Sequence, residues 1–341
     1  MRSWMTAHAA PYARAVSVQR YPRPCVPPVW ARGGHAQTCL AHLFGAGGEP
    51  LSTRAGGRRV EVALADGDRL VVHAFAGSSG VRVHLFHGLS GDADSDYMRR
   101  TADVLLARGH EVWAANHRGC GAGRGLAAKP YHSGSSADLA AVLAASRAEA
   151  PGLAHVALGV SLSGNALLLM ASEQRAPWLA GLVAVNPPLD LARTSDAIHR
   201  GANRLYELRF VLRLRRAIAE RQAAGLVSAH YRIPRTASLR EVDELYTAPE
   251  GGFASAEDYY ARCSAGPRLS AITTPGVVLT AADDPIVALE SFRSLAFPAC
   301  LHLHVEAHGG HVGYLERHGL GARAWLPDAL LHHVETLAGR A

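Results

Sequence analysis

The stretch from His155 to Met170 (HVALGVSLSGNALLLM) limits what this chain can fold into more than any other. It reads as a short apolar strand, a sharp turn with Ser161 at its tip, and a helix. Strand and helix nearly touch at such a turn, so the residues around the serine must be small. Gly159 and Gly164 meet that need. The serine is forced into a strained position with its hydroxyl exposed above the end of a sheet. This is the pattern of a nucleophile elbow, G-x-S-x-G, with one departure: Ser163 stands where the second glycine is usual. An ordinary strand-to-helix turn uses similar residues, so the elbow must be judged by its partners.

The rest of the chain supplies the sheet such an elbow requires. Arg59–Leu64 and Leu70–Phe75 alternate with period two around Asp66-Gly67-Asp68, which predicts a hairpin. Apolar strands follow at 81–86, 111–116, 181–186, 276–280 and 301–305, with helices expected at about 96–108, 136–149 and 322–338. Asp94 or Ser95 is expected to cap the first of these helices, and Ser135 with Asp138 to form a capping box on the second. Buried strands alternating with helices predict an α/β fold with a mostly parallel central sheet covered by helices on both faces. At about 190 the alternation stops for some 75 residues. That segment is helical and rich in arginine (Arg204, Arg209, Arg213, Arg215, Arg216), as a cap inserted into the core would be. The expected division is an arm over 1–57, a first core segment over 58–189, the cap over 190–267 and a second core segment over 268–341. A short helix is expected at about 35–44 in the arm. The segment Arg32–Thr38 (RGGHAQT) reads as a turn fixing the arm, with His35 as a site candidate.

Composition removes several functions. The net charge is +6, but the basic residues are scattered and form no Lys/Arg run, so nucleic-acid binding has no footprint. Attraction to an acidic substrate, or weak peripheral contact with an anionic membrane, stays open. The five cysteines form no C-x-x-C pair, which argues against a disulfide framework or a zinc knuckle. The first residues lack the apolar core of a secretory signal, and no window suits a transmembrane helix. A soluble cytoplasmic protein is the expectation. The acidic run Asp92, Asp94, Asp96 lacks the glycine and glutamate of a calcium loop. His302 and His304 read as half-buried strand residues, and no phosphate loop or dinucleotide fingerprint occurs. No metal or cofactor is implied.

A serine hydroxyl needs a base within hydrogen-bond reach, and the base needs an orienting acid. In a sheet of this kind the three follow in chain order Ser, Asp/Glu, His, each from a loop at the carboxyl end of a strand. Ser161, Asp284 and His311 fit that order. Asp283 competes with Asp284, and Asp190 is a third choice. Asp284 is preferred because Asp-Pro-Ile-Val places its carboxylate at a loop tip. His308 competes with His311, which is preferred for the flexible Gly309, Gly310 and Gly313 around it. The backbone N–H groups of Leu89 and Leu162 would form an oxyanion hole.

With those residues in view the chain resembles the YheT-like branch of the α/β-hydrolase superfamily, bacterial relatives of the mammalian ABHD lipases. The shared stretches are Arg32–Thr38, His87–Gly91 with Tyr97–Arg100, Asn116–Gly121 (NHRGCG), Tyr131–Gly134 (YHSG), Gly159–Asn165 (GVSLSGN), Asp283-Asp284-Pro285 and His308–Gly313 (HGGHVG). The resemblance implies cofactor-free hydrolysis of short- to medium-chain acyl esters or lipid esters, with Ser161, Asp284 and His311 as its triad. Acyl transfer to an alcohol is the alternative, for which His87 and Asp92 formally match an H-x4-D pattern. A catalytically silent binding protein is a third reading.

Overall fold

The structure, a computed structural model, describes residues 21–43, 48–227 and 230–339. The first twenty residues of the expected arm lie outside these. Eight strands form one sheet: β1 (Gly57–Ala63), β2 (Arg69–Phe75), β3 (Val81–Phe86), β4 (Glu111–Asn116), β5 (Ala154–Val160), β6 (Gly181–Val185), β7 (Gly276–Ala281) and β8 (Leu301–Glu306). Their order is β1-β2-β4-β3-β5-β6-β7-β8. The first hairpin is antiparallel and joins β4 antiparallel; from β4 to β8 every pairing is parallel.

Period-two alternation splits the apolar residues between two cores. On one face Trp113, Ala157, Leu182, Ala184 and Val278 pack under helices α3 (Ser136–Glu149) and α4 (Leu162–Ser172). On the other, Val83, Val112, Val156, Leu158, Val183 and Leu279 meet α2 (Asp96–Ala107) and the C-terminal helix Leu326–Leu337. Removing two opposed apolar surfaces from water is what holds the sheet between its helices. Helix α1 (Gly34–Leu43) precedes the sheet, and between β6 and β7 the chain forms α5 (Leu191–Ile198), α6 (Arg204–Ala223) and several shorter helices.

Four local expectations are corrected. Ser135 stands at the N-cap of α3 without a side-chain cap bond. Its would-be partner Asp138 instead takes a bidentate grip from Arg118 (2.6 and 2.7 Å), a stronger claim on a carboxylate than one backbone N–H. Ser95 caps α2 by position only, because its hydroxyl accepts from Asp92 N. The last helix begins at Leu326, not near 322. Residues 321–324 form β10, paired antiparallel with β9 (Leu315–His318), and Pro327 sits in the helix's first turn, where a missing N–H costs nothing. His304 is fully buried, bonded to Glu306 (2.8 Å) and His333 (3.0 Å).

Candidate active site

Ser161 lies between β5 and α4 with φ +53° and ψ −118°, a conformation side chains rarely adopt. The turn can close because Gly159 has no side chain: a Cβ there would lie 2.5 Å from the Ser163 carbonyl oxygen. Ser161 N donates to Val185 O on β6 (2.7 Å), which ties the strained residue to the sheet.

His311 and Asp284 arrive from the loops after β8 and β7. His311 Nε2 stands 2.9 Å from Ser161 Oγ, and its Nδ1 stands 2.9 Å from Asp284 Oδ2. The Asp284 side chain has no solvent exposure and that of His311 has 10%. Four donors converge on the Asp284 carboxylate. Ile286 N (2.8 Å) and Val287 N (3.0 Å) donate to Oδ1, and Asn186 Nδ2 (2.7 Å) joins His311 at Oδ2. The competing residues fall elsewhere. Asp283 accepts from Gly309 N (3.0 Å) and Gly310 N (2.8 Å) and faces His308 (3.3 Å), so this second pair braces the histidine loop. Asp190 caps α5 by accepting from Arg193 N.

Two supports of this arrangement carry no local sequence signal. Thr38 Oγ1 accepts from His311 N (2.9 Å) and donates to Gly34 O (2.7 Å), and so fixes the histidine to α1. Contact is close enough that a Cβ at Gly34 would strike Asp283 O, and one at Gly310 would lie 2.4 Å from Gly34 O. Asn186, buried with φ +46°, links Asp284 to Tyr314, whose hydroxyl donates to Asn186 Oδ1 (3.0 Å). The Arg32–Thr38 segment thus holds the acid and histidine loops together. His35 does not reach Ser161; its ring stacks on Tyr206 of α6 and hydrogen-bonds the phenol at 3.1 Å.

The turn after β3 passes over the serine. Gly88 is so near that a Cβ there would lie 3.3 Å from Ser161 Cβ. Leu89 follows it and lines the same cavity as Ser161 and His311, while Leu162 is the first residue of α4, whose N-terminal dipole faces the site.

Residues 81–318 match the family model described as the alpha/beta hydrolase fold. The chain belongs to that family. It is 31% identical to the YheT protein of Escherichia coli, over 74% of this chain and 77% of that one. It is 25% identical to a monoacylglycerol lipase of Saccharomyces cerevisiae, over 72% of this chain and 56% of the lipase. With the phospholipase ABHD3 of Mus musculus the identity is 24%, over 67% and 57%. The matched stretch therefore spans little more than half of these two eukaryotic relatives. Among solved structures the esterase Pf2001 of Pyrococcus furiosus superposes with a TM-score of 0.51 at 18% identity, over 77% of this chain and 86% of that one, a likeness of fold.

In this α/β hydrolase Ser163 is more than a tolerated substitute for glycine. It is fully buried, and its hydroxyl donates to His87 O while accepting from His117 Nε2 (2.7 Å) and the Tyr131 hydroxyl (2.8 Å). One donor and two lone pairs are all used. His87 in turn bonds Gly88 O through Nδ1 (2.8 Å) and accepts from His117 N at Nε2 (3.2 Å). Burial holds both imidazoles neutral: His87 is pushed down to about 4 and His117 well below the ordinary histidine range. A buried His87 with both nitrogens engaged anchors the Gly88–Leu89 turn, which accounts for the H-x4-D pattern structurally. Ser163→Ala is expected to remove the nearer acceptor from two buried donors, leaving His117 Nε2 and the Tyr131 hydroxyl only the His87 carbonyl at 3.2 and 3.5 Å, and to lower stability by about 1–2 kcal/mol. Urea denaturation followed by circular dichroism measures this directly.

The cavity at Ser161 holds about 400 Å³ and is bounded by Val160, Tyr206, Phe210, Ile286 and Val312 among others. Among the described residues no group of His, Cys, Asp or Glu could hold a metal ion, and no helix is long and apolar enough to cross a membrane.

Proposed function

We propose that this chain is a serine carboxylic-ester hydrolase that works through an acyl-enzyme on short- to medium-chain acyl esters or lipid esters. The observation that carries the reading is the unbroken line from Ser161 Oγ through His311 to Asp284, with 2.9 Å at each step. Ser161 Oγ attacks the ester carbonyl carbon, and His311 Nε2 takes its proton. Asp284 holds the imidazole in the tautomer that presents Nε2 as a base and stabilises the imidazolium. The carbonyl oxygen, now carrying the charge, receives the N–H groups of Leu89 and Leu162, backbone donors that need no reorganisation. His311 returns the proton to the departing alcohol. Water then attacks the acyl-enzyme with His311 again as base, and Ser161 leaves with its proton restored.

The family match and esterase and lipase relatives support the reaction class. The size of the cavity and the apolar part of its wall at Val160, Phe210, Ile286 and Val312 suit a modest acyl chain. The test is a 4-nitrophenyl ester series from acetate to palmitate, run beside labelling with a fluorophosphonate. Turnover should peak at a short or medium chain and fall toward palmitate, and the label should sit on Ser161. A folded protein that neither cleaves any ester nor takes the label overturns the reading and leaves the silent binding protein. Glycerol added to the same assay reports acyl transfer as a change in product mix.

A further inference from the structure

Two cavities share the wall made by Leu89 and Gly91. The first contains Ser161; the second, of about 730 Å³, lies between α6 and the segments around Arg118–Gly125 and Tyr131. Arg213 of α6 lines both. Arg100 and Arg209 also line the first, and Arg124 and Arg221 the second.

These arginines differ from their neighbours in making no ion pair. Arg118 is held by Asp66, Asp68 and Asp138, and Arg216 by Glu220. Among the described residues no carboxylate forms an ion pair with Arg100, Arg124, Arg209, Arg213 or Arg221. Arg221 is the most telling. It is 9% exposed, its guanidinium donates to Ala128 O, and its Nε is buried with no hydrogen-bond partner. Gly119 makes room for it, since a Cβ there would lie 2.9 Å from Arg221 Nη1. Partial burial and the neighbouring Arg209 draw Arg213 below the ordinary arginine range, with Asp92 offsetting them in part. Carboxylates line both cavities too, Asp96 the first and Asp92 and Glu220 the second, and Arg124, Arg209 and Arg213 are exposed to water. What the site offers an anion is the excess of arginine over carboxylate around it and the buried Arg221, whose Nε has no partner.

We propose that the substrate is an ester carrying an anionic group, a carboxylate or a phosphate, and that Arg213 and Arg221 hold this group while the ester carbonyl lies at Ser161. The inference rests on the ester-hydrolase reading and adds a substrate class to it. Arginine suits the role because its planar fork binds both anions in two-point fashion. The shared position of Arg213 allows the anion to sit in the second cavity with the acyl or alcohol portion spanning the Leu89 turn.

Two matched pairs of substrates test it. Mono-4-nitrophenyl glutarate against 4-nitrophenyl valerate places the charge on the acyl side. 1-Butyryl-glycerol 3-phosphate against 1-butyryl-glycerol places it on the alcohol side. In at least one pair the anionic member should be preferred in kcat/KM by about tenfold or more, as a charge-assisted pair would give. Arg213→Gln should reduce that preference by about tenfold, Arg213→Lys, which keeps the charge but loses the two-point fork, should retain only part of it, and Arg221→Gln is the second variant. Equal kcat/KM within both pairs overturns the inference, as does a preference that survives both glutamine variants. Fluorophosphonate labelling of Ser161 without turnover of any of the four esters overturns it too. No labelling and no turnover of any ester instead overturns the ester-hydrolase reading beneath it.

Discussion

Ser161→Ala is expected to lower kcat on the best 4-nitrophenyl ester by on the order of 10⁵- to 10⁶-fold, the scale of loss when a nucleophile is deleted from a serine–histidine pair. The fold should survive, because the change removes one hydroxyl whose hydrogen bond is to His311 and leaves the Ser161 N to Val185 O bond in place. Ser161→Gly makes a sharper companion. It deletes the same hydroxyl, so activity should fall as far. It also removes the Cβ that makes φ +53° strained, a cost of about 1–3 kcal/mol, against which the added freedom of the unfolded chain weighs about 1 kcal/mol. The glycine variant should therefore be as stable as the parent or up to about 2 kcal/mol more so, while the alanine variant, which keeps the Cβ, gains nothing of this kind. Guanidinium denaturation of all three proteins separates the outcomes. An alanine variant with substantial residual turnover would remove Ser161 from the mechanism. A glycine variant less stable than alanine would mean that the elbow is not strained.

The elbow was legible because its requirements are local. A strand that ends directly before a serine, with glycine where the backbones cross, is written in seven consecutive positions. The parallel sheet was legible for a related reason: strands buried on both faces lose their polar alternation, and the two cores built from Val156 and Ala157 are the physical form of that run. The supports of the site were not legible. Thr38 meets His311 across 273 positions and Asn186 meets Asp284 across 98, and nothing in either residue's neighbourhood announces the partner. RGGHAQT did stand out by composition. Yet the residue that looked chemical, His35, stacks on Tyr206, while the plain Thr38 and Gly34 grip the histidine loop. Ser163 shows the same limit. Read alone it is a small residue in place of a smaller one; in the fold it joins β3, β4 and the Tyr131 segment through one hydroxyl. The hairpin of β9 and β10 was lost to an amphipathic pattern that continued backward from the last helix.

The pair Asp283 and Asp284 gives the second large expected effect, because the same substitution meets opposite surroundings at adjacent positions. At Asp284 every neighbour is a donor: Ile286 N and Val287 N on Oδ1, Asn186 Nδ2 and His311 Nδ1 on Oδ2. An asparagine there must turn its NH₂ toward one donor pair or the other, and neither orientation is satisfied. If the amide nitrogen faces His311, the imidazole is driven to the tautomer that places its proton on Nε2, against Ser161, and the base is lost. Asp284→Asn is therefore expected to lower kcat by roughly 10³- to 10⁴-fold, as for other triads whose acid becomes an amide. At Asp283 the two oxygens see different partners. Oδ1 accepts from Gly309 N and Gly310 N, and Oδ2 faces His308 Nδ1, which can accept in its neutral form. An asparagine fits with its oxygen on the two glycines and its NH₂ on the histidine, so Asp283→Asn should keep kcat within about tenfold of the parent, with the loss coming from a looser histidine loop. Single-turnover acylation by a 4-nitrophenyl ester in the two variants reads the difference at the step where the base acts. Comparable losses in both, or the larger loss at Asp283, would move the acid off Asp284.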